Sequence, residues 1–263
     1  MRFGFIGGGN IVRAILTGIN KGGEFKNHDI GIFDIDKNIL TTYSNQGYNT
    51  YNSIEELTQN SDVVVIAVTP QIIRSITDEL KLAKDNVIIS LVAGITLDWL
   101  TKNVGDFKLF RCMPTLAAQE GLGSFAISYS NKVANHEKNI VAEFFGSCGV
   151  VEYIDESLMS KVVAINGSAP GYFYYISRIV EDVAIKMGFE ADVARRLFAQ
   201  TMKGSAETIL KSELSLKDLE GKIKVHGGTT SAALDAMEQE GLYKCIEEGL
   251  LACVKRSEEL GKL

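Results

Sequence analysis

Arg2-Phe3-Gly4-Phe5-Ile6-Gly7-Gly8-Gly9-Asn10 begins with a short apolar run, breaks into three consecutive glycines and leads into an amphipathic segment. A dinucleotide pyrophosphate binds backbone N–H groups at a helix N-terminus, and it needs glycine where the chain passes close to it. Gly7 and Gly9 match the first two glycines of that fingerprint, whereas Val12 stands at the third small position. The segment predicts a strand, a phosphate-binding turn and a helix over Asn10–Leu16; a ligand-free glycine turn is the alternative.

A second strand, Ile30–Phe33, ends in Asp34, about 20 residues beyond the glycines as the fingerprint requires. A carboxylate at this place accepts hydrogen bonds from the ribose hydroxyls of the adenosine and repels the additional phosphate of NADP. The predicted cofactor is therefore NADH or NADPH, with NADH slightly favoured by Asp34.

The composition excludes several classes of partner. The net charge is −6, from 27 basic and 33 acidic residues, and no basic stripe interleaved with aromatics suggests nucleic acid binding. The four cysteines form no C-x-x-C pair, and the three histidines are scattered, so no metal site is predicted. The apolar runs at 63–68 and 87–92 are too short to span a bilayer, and the N-terminus has no signal-peptide pattern. We expect a small-molecule ligand, no membrane and a cytoplasmic location.

The organisation of the chain changes near residue 155. Before it, short β-branched runs alternate with helical patterns up to Arg111, which predicts a parallel, doubly wound α/β sheet. The segments 124–129, 135–147 and 150–154 are expected to close this domain, which spans residues 1–154. Within this part, 71–80 is expected to be one helix, and 21–29 and 44–53 are expected to be surface loops.

After residue 155 the apolar positions recur at helical spacing, and residues 155–263 are predicted to be all-helical. The expected helices run from about Pro170 to Met187, Ala191 to Leu210, the residue after Gly228 to Gln239, and Leu242 to Leu260. The first of them has so wide an apolar face that pairing of two subunits through this half is expected; a better-packed monomer is the alternative.

Four segments stand in a characteristic order: Gly7–Asn10, Ala67-Val68-Thr69-Pro70-Gln71, 164–172 and Gly227-Gly228-Thr229-Thr230. Together with Arg111-Cys112-Met113-Pro114 and Ala93-Gly94-Ile95, this order resembles the pyrroline-5-carboxylate reductases over almost the whole chain. The Gly-Gly-Thr-Thr run that opens a late helix is the most specific element of the resemblance.

The resemblance implies a Rossmann domain followed by a helical substrate and dimerisation domain. It implies NAD(P)H-dependent reduction of 1-pyrroline-5-carboxylate to L-proline, by hydride transfer to the cyclic imine, in a homodimer or a ring of dimers. The glycine–threonine loop of one subunit would serve the cofactor site of the other. N–H groups of Gly228, Thr229 and Thr230 at a helix start suit the substrate carboxylate, and the Thr230 hydroxyl is the predicted catalytic group at the ring nitrogen.

Two sets of site residues are predicted. The cofactor-binding residues are Gly7, Gly9, Asn10, Ile11, Asp34, Asn52, Ala67, Val68, Thr69, Pro70, Ala93 and Gly94. The substrate-binding residues are Met113, Pro114, Ser168, Gly228, Thr229 and Thr230. Asn52 is expected at the nicotinamide-side ribose or, alternatively, as a plain turn residue. Ser168 either faces the substrate or caps a helix.

Several positions depart from the family pattern. Thr69 replaces a lysine, and Thr115 follows Met-Pro where the pattern has asparagine, in a segment about two residues shorter up to Gly121. Asn166 replaces a serine, and His226 precedes the double glycine. These changes leave two alternatives open: a paralogous imine or carbonyl reductase with another substrate, or a non-catalytic nucleotide-sensing protein of the same fold.

Overall fold

The computed structural model describes residues 1–23, 25, 27–83 and 85–261. The chain forms two compact units, Met1–Gly167 together with Cys253–Leu263, and Ser168–Ala252. Glu24 and Lys26, which fall in the loop predicted at 21–29, lie outside the described residues.

The first unit is built on an eight-stranded sheet with the order β3-β2-β1-β4-β5-β6-β7-β8. The strands are β1 Phe3–Ile6, β2 Ile30–Phe33, β3 Asn49–Thr50, β4 Val63–Ile66, β5 Val87–Ser90, β6 Lys108–Met113, β7 Gly123–Tyr129 and β8 Gly149–Tyr153. The six strands β1–β6 are parallel to one another. This arrangement confirms the predicted Rossmann-type doubly wound sheet.

The two strands that were expected to close the domain, β7 and β8, make the sheet mixed. Strand β7 runs antiparallel to β6, and β8 runs parallel to β7. The β6–β7 connection is the segment 114–122, which holds the short 3-10 helix Leu116–Glu120. A parallel crossover needs a dozen or more residues, so this shorter connection returns the chain in the opposite direction.

Helices cover the sheet and supply its core. They are α1 Asn10–Gly22, α2 Lys37–Asn45, α3 Ile54–Gln59, α4 Pro70–Ser75, α5 Thr77–Leu80, α6 Leu97–Asn103, α7 Asn135–Gly146 and α8 Met159–Ile165. One buried cluster includes residues of β1, α1 and α7, and a second includes residues of α3 and α6. Val12 is fully buried in the first cluster, so the core accommodates valine at the third position of the glycine motif.

Three segments differ from the predicted elements. Helix α1 continues to Gly22, and Gly23 ends it with a positive φ of 73°. The helix predicted over 71–80 is divided at Ile76, which lies outside helical geometry between α4 and α5. The loop predicted over 44–53 contains the edge strand β3 and the buried side chain of Tyr48.

The described part of the second unit is helical, as predicted. Its helices are α9 Ala169–Lys186, α10 Ala191–Lys211, α11 Leu216–Ile223 and α12 Thr229–Gln239, and α13 Leu242–Gly261 begins in it. The short helices α8 and α11 were not predicted, because each is too brief to establish a 3.6-residue period. The compact units divide after Gly167, whereas the predicted functional boundary lies between residues 154 and 155 and stays a prediction.

Glu137 stabilises the start of α7. Its Oε2 accepts a hydrogen bond from the Ala134 N–H at 2.9 Å, and its Oε1 lies 2.6 Å from Lys108 Nζ. Burial alone would raise the pKa of Glu137, but the hydrogen bonds from Lys108 and from Ala134 outweigh burial and leave that pKa lowered. The ionised carboxylate therefore adds stability at neutral pH, and this contribution is lost as the pH falls through the lowered pKa.

We expect Glu137→Gln to reduce the free energy of unfolding by about 2 kcal/mol at neutral pH, because the substitution removes the carboxylate that pairs with the Lys108 ammonium group. Urea unfolding of both proteins over a pH series measures this difference. The gap should narrow once the pH drops below about 4. A gap that is constant across the series would contradict the assignment.

Candidate active site

The glycine-rich turn lies between β1 and α1. Gly7 has a φ of +98°, and its N–H donates to the Phe33 carbonyl at 2.8 Å. A Cβ on Gly7 would stand 2.7 Å from the Ala67 carbonyl oxygen, so both its backbone angle and the space require glycine. Gly9 caps the start of α1, and the space where its Cβ would stand is open to 4 Å. The chain can approach a ligand closely at Gly9.

The Gly8 peptide is held on both sides. Its N–H donates to Asp34 Oδ2 at 2.8 Å, and its carbonyl accepts from the Tyr43 hydroxyl at 3.0 Å. Burial is the main cause that raises the pKa of Tyr43 to about 12, so this hydroxyl remains a donor at neutral pH. Asp34 Oδ1 also accepts from the Asp36 N–H at 2.9 Å. Asp34 is thus part of the turn's structure as well as a candidate ligand for ribose.

Two neighbouring cavities extend along the carboxyl ends of the strands. The first has a volume of about 290 Å³, and the second, of about 560 Å³, shares Phe33, Asp34 and Ile35 with it. Five predicted cofactor residues besides Asp34 line the first cavity: Gly7, Gly9, Ala67, Val68 and Thr69. Ligands of open α/β sheets bind at this edge.

The residues present fit a dinucleotide. Asn10 and Ile11 form the first turn of α1, whose leading N–H groups have no partner within the helix. Gly9 at the N-cap carries no side chain that could occupy those N–H groups, and no acidic residue stands in the first turn. A pyrophosphate is the kind of anion such a helix start accepts. Thr69 caps α4, and Pro70 is its first residue.

Asn52 lies in the second cavity, together with Asp34, Lys37 and Thr50. Its backbone N–H donates to Glu56 Oε2 at 2.9 Å. This position is on the Asp34 side of the glycine turn, where the adenosine ribose is predicted. The geometry therefore favours contact of Asn52 with the adenosine end, not with the nicotinamide-side ribose.

Ala93 and Gly94 follow β5, and Gly94 has a φ of +75°. Gly94 lines a separate cavity of about 480 Å³, which Arg111 and Glu156 also line. Arg111 Nη1 lies 2.9 Å from Glu156 Oε1, and the same oxygen accepts from the Leu97 N–H at 3.1 Å. This half-buried ion pair connects β6 to the start of α6 and to the segment after β8.

The predicted substrate residues are distributed over both units. Met113 is the last residue of β6, and Pro114 follows it in the first unit. Ser168 precedes α9 and makes no side-chain cap. Gly228 is the N-cap of α12, and Thr229 and Thr230 form its first turn.

The glycine–threonine loop has the geometry of an anion-binding helix start. Gly227 has a φ of +73°, so the chain turns there in a conformation that favours glycine. No side chain caps α12 at Gly228, and no acidic residue stands in its first turn. His226 is exposed in the single chain. The loop can therefore present N–H groups to a carboxylate.

Sequence reasoning did not identify Tyr43, and it noted Asn166 and Thr115 only as departures from the family pattern. The Tyr43 hydroxyl donates to the Gly8 carbonyl, Asn166 donates to the Met113 carbonyl, and Thr115 accepts from the Ser124 N–H. The contacts of Tyr43 and Asn166 join residues far apart in the chain. No local motif marks such contacts in one sequence.

The fold and the cleft define a dinucleotide-binding Rossmann-type domain. Two family models match the chain, one in each half. One, described as NADP oxidoreductase coenzyme F420-dependent, matches residues 2–94. The other, described as pyrroline-5-carboxylate reductase dimerisation, matches residues 156–260. The second match places a dimerisation domain in the C-terminal half.

Individual proteins match nearly end to end. The pyrroline-5-carboxylate reductase of Escherichia coli (strain K12) is 30% identical over 265 residues, covering 99% of this chain and 98% of the relative. A pyrroline-5-carboxylate reductase structure from Coxiella burnetii has a TM-score of 0.91 at 28% identity and covers 98% of both chains. A pyrroline carboxylate reductase from Plasmodium falciparum with NADP bound has a TM-score of 0.86 at 28% identity, covering 99% of this chain and 98% of that chain.

The chain belongs to the pyrroline-5-carboxylate reductase family. Within the described residues, the histidine, cysteine and acidic side chains form no group of three or more that could hold a metal ion. No helix of the described part is both long enough and apolar enough to cross a membrane.

Proposed function

We propose that this protein reduces 1-pyrroline-5-carboxylate to L-proline with NADH or NADPH. The observation that carries the proposal is the 30% identity to a reductase of that name over 99% of the chain. Both halves of the predicted machinery lie in the matched region, the glycine turn at Gly7–Gly9 and the loop at Gly227–Thr230.

In this proposal, the first predicted domain binds the cofactor and the second binds the substrate. Residues 1–154 bind the dinucleotide: the first turn of α1 holds the pyrophosphate, and Asp34 and Asn52 face the adenosine end. Ala67, Val68, Thr69, Pro70, Ala93 and Gly94 lie along the nicotinamide half. When bound, the dihydronicotinamide supplies the hydride.

The substrate side belongs to residues 155–263, with Met113 and Pro114 from the first domain. N–H groups of Gly228, Thr229 and Thr230 bind the substrate carboxylate at the start of α12. The Thr230 hydroxyl donates a hydrogen bond to the ring nitrogen. As the imine carbon gains the hydride, the nitrogen takes a proton from solvent, either directly or through this hydroxyl, which solvent then reprotonates. Ser168 adds a polar contact near the same ring. The protein contributes mainly the positioning of two reactants.

A homodimer, or a ring of dimers, completes the proposal. Helix α9 spans 18 residues, and none of its side chains is buried in the single chain. Its exposed large apolar residues include Phe173, Tyr174, Tyr175, Ile176, Ile179 and Val183. A second copy would cover such a surface, and sedimentation of the purified protein measures the assembly.

The free cysteines suit the reducing cytoplasm, where we place the protein.

The experiment that tests the function is oxidation of NADH and of NADPH, followed at the nicotinamide absorbance, with and without pyrroline-5-carboxylate. Substrate-dependent oxidation supports the proposal. Binding of the cofactor without turnover would contradict it, and other cyclic imines would then separate a paralogous reductase from a nucleotide sensor.

We expect a lower KM for NADH than for NADPH, because the Asp34 carboxylate repels a 2′-phosphate. In Asp34→Asn, the KM for NADPH should fall about tenfold relative to the KM for NADH, which is the effect of removing one modest like-charge contact. Steady-state kinetics with both cofactors measure the ratio. An unchanged ratio would remove Asp34 from the choice of cofactor.

A further inference from the structure

The Met113–Pro114 segment is attached to β7 by two buried polar side chains. Asn166 Nδ2 donates to the Met113 carbonyl at 2.9 Å and to the Ser124 carbonyl at 3.3 Å. Thr115 Oγ1 accepts from the Ser124 N–H at 3.0 Å. Asn166 and Thr115 are 7% and 6% exposed, so these bonds are shielded from water. Both polar groups of the Ser124 backbone are thus paired with side chains.

The attachment begins where the pairing of β6 with β7 ends. The β6–β7 ladder closes with the pair Met113 and Ala126, and Ser124 lies beyond it. Beyond that pair, β6 and β7 form no further main-chain pairs. The side chains of Asn166 and Thr115 supply hydrogen bonds to Ser124 in their place. A buried amide or hydroxyl that loses such a bond costs free energy, so the segment has a strongly preferred position.

Both side chains stand at departures from the family pattern. The pattern has asparagine directly after Met-Pro and serine at position 166, whereas this chain has Thr115 and Asn166. The structure brings these two side chains to one residue, since Thr115 accepts from the Ser124 N–H and Asn166 donates to the Ser124 carbonyl.

We propose that Asn166 and Thr115 are positioning residues that hold Met113 and Pro114 against the imine and thereby set its KM. This inference rests on the proposed function, in which Met113 and Pro114 contact the substrate. The two side chains act through the segment and have no role in dinucleotide binding.

Asn86 provides a matched control for Asn166. It is a buried asparagine, 8% exposed, whose Nδ2 bridges the Thr58 and Ser61 carbonyls at 3.2 and 2.6 Å. In both residues a buried amide donates to two carbonyls, so Asn166→Ala and Asn86→Ala should lose similar stability. Asn86 differs in location, because it precedes β5, whereas Gly94 and the predicted cofactor site follow that strand.

Asn166→Ala should raise the KM for pyrroline-5-carboxylate about tenfold or more, as expected for a displaced substrate contact. The dissociation constant for NADH should stay within about twofold of the starting protein. Asn86→Ala should leave both values unchanged. Equal KM values for the two variants would overturn the proposal, because Asn166 would then be merely structural.

Hydrogen–deuterium exchange of residues 114–122 reads the attachment without turnover. Faster exchange in Asn166→Ala, but not in Asn86→Ala, supports the attachment of this segment. This readout does not depend on activity: a starting protein that fails to reduce the imine would refute the proposed function and leave the attachment supported. Unchanged exchange overturns the inference. If Asn166→Ala does not fold, Thr115→Val, which keeps the side-chain shape, is expected to give the same rise in KM, and a normal KM would overturn the proposal.

Discussion

Gly18→Ala is expected to reduce the free energy of unfolding by about 3 kcal/mol, the upper part of the range for an overpacked core. Glycine within a helix normally costs stability relative to alanine, so the sign here is opposite to helix propensity. A Cβ on Gly18 would stand 1.9 Å from the Ala118 carbonyl oxygen and 2.8 Å from Cys148 Cβ. The first neighbour is backbone, which cannot rotate away. Urea unfolding measures the loss.

Gly146→Ala is the control for this variant. Gly146 is the last residue of α7, and nothing stands within 4 Å of the place its Cβ would take. Its free energy of unfolding should change by less than about 0.5 kcal/mol. If the two variants were equally stable, the close approach of α1 to the 3-10 helix Leu116–Glu120 would not be a constraint on the fold.

Thr230→Ala is expected to lower kcat about 100-fold, because a positioned proton donor contributes on that scale. Thr230 lies in the first turn of α12, after the Gly227–Gly228 turn, among the residues whose N–H groups are proposed to bind the substrate carboxylate. Its removal leaves those N–H groups and the whole first unit intact. Kinetics at saturating substrate and cofactor measure kcat.

Thr230→Ser retains the hydroxyl and should keep most of the activity. The dissociation constant for NADH, measured by nicotinamide fluorescence, should be the same in both variants and in the starting protein. An alanine variant with undiminished kcat would exclude Thr230 as the proton donor. A weakened NADH affinity would point to a disturbed fold as the cause.

Much of the fold could be predicted because its signals are local. The glycines after β1, the β-branched runs of β4 and β5, and the apolar stripe of α9 each lie within one short window. The direction of β7 could not be predicted because strand patterning is the same in either direction. Only the length of the connection at 114–122 distinguishes the two, and that length depends on where both strands end.

The site could be predicted in part. Gly7, Gly9, Asp34 and Thr69 lie at strand ends that a parallel sheet brings to one edge, and they line one cavity. The contacts of Tyr43 and Asn166 could not be predicted, since each joins residues 35 or more positions apart. For Asn52, whose neighbours in the cleft come from β2 and α2, the ribose that it contacts stays a prediction.

The two hydrogen bonds that Asp34 accepts from Gly8 and Asp36 restrict which residues could replace it. A neutral residue at position 34 would remove the carboxylate that is proposed to repel a 2′-phosphate, and it would also leave the Gly8 N–H with a weaker acceptor. A substitution elsewhere that restores an acceptor would have to arise first or together with it. The two changes are therefore epistatic, and the order in which mutations accumulate decides whether the path is open.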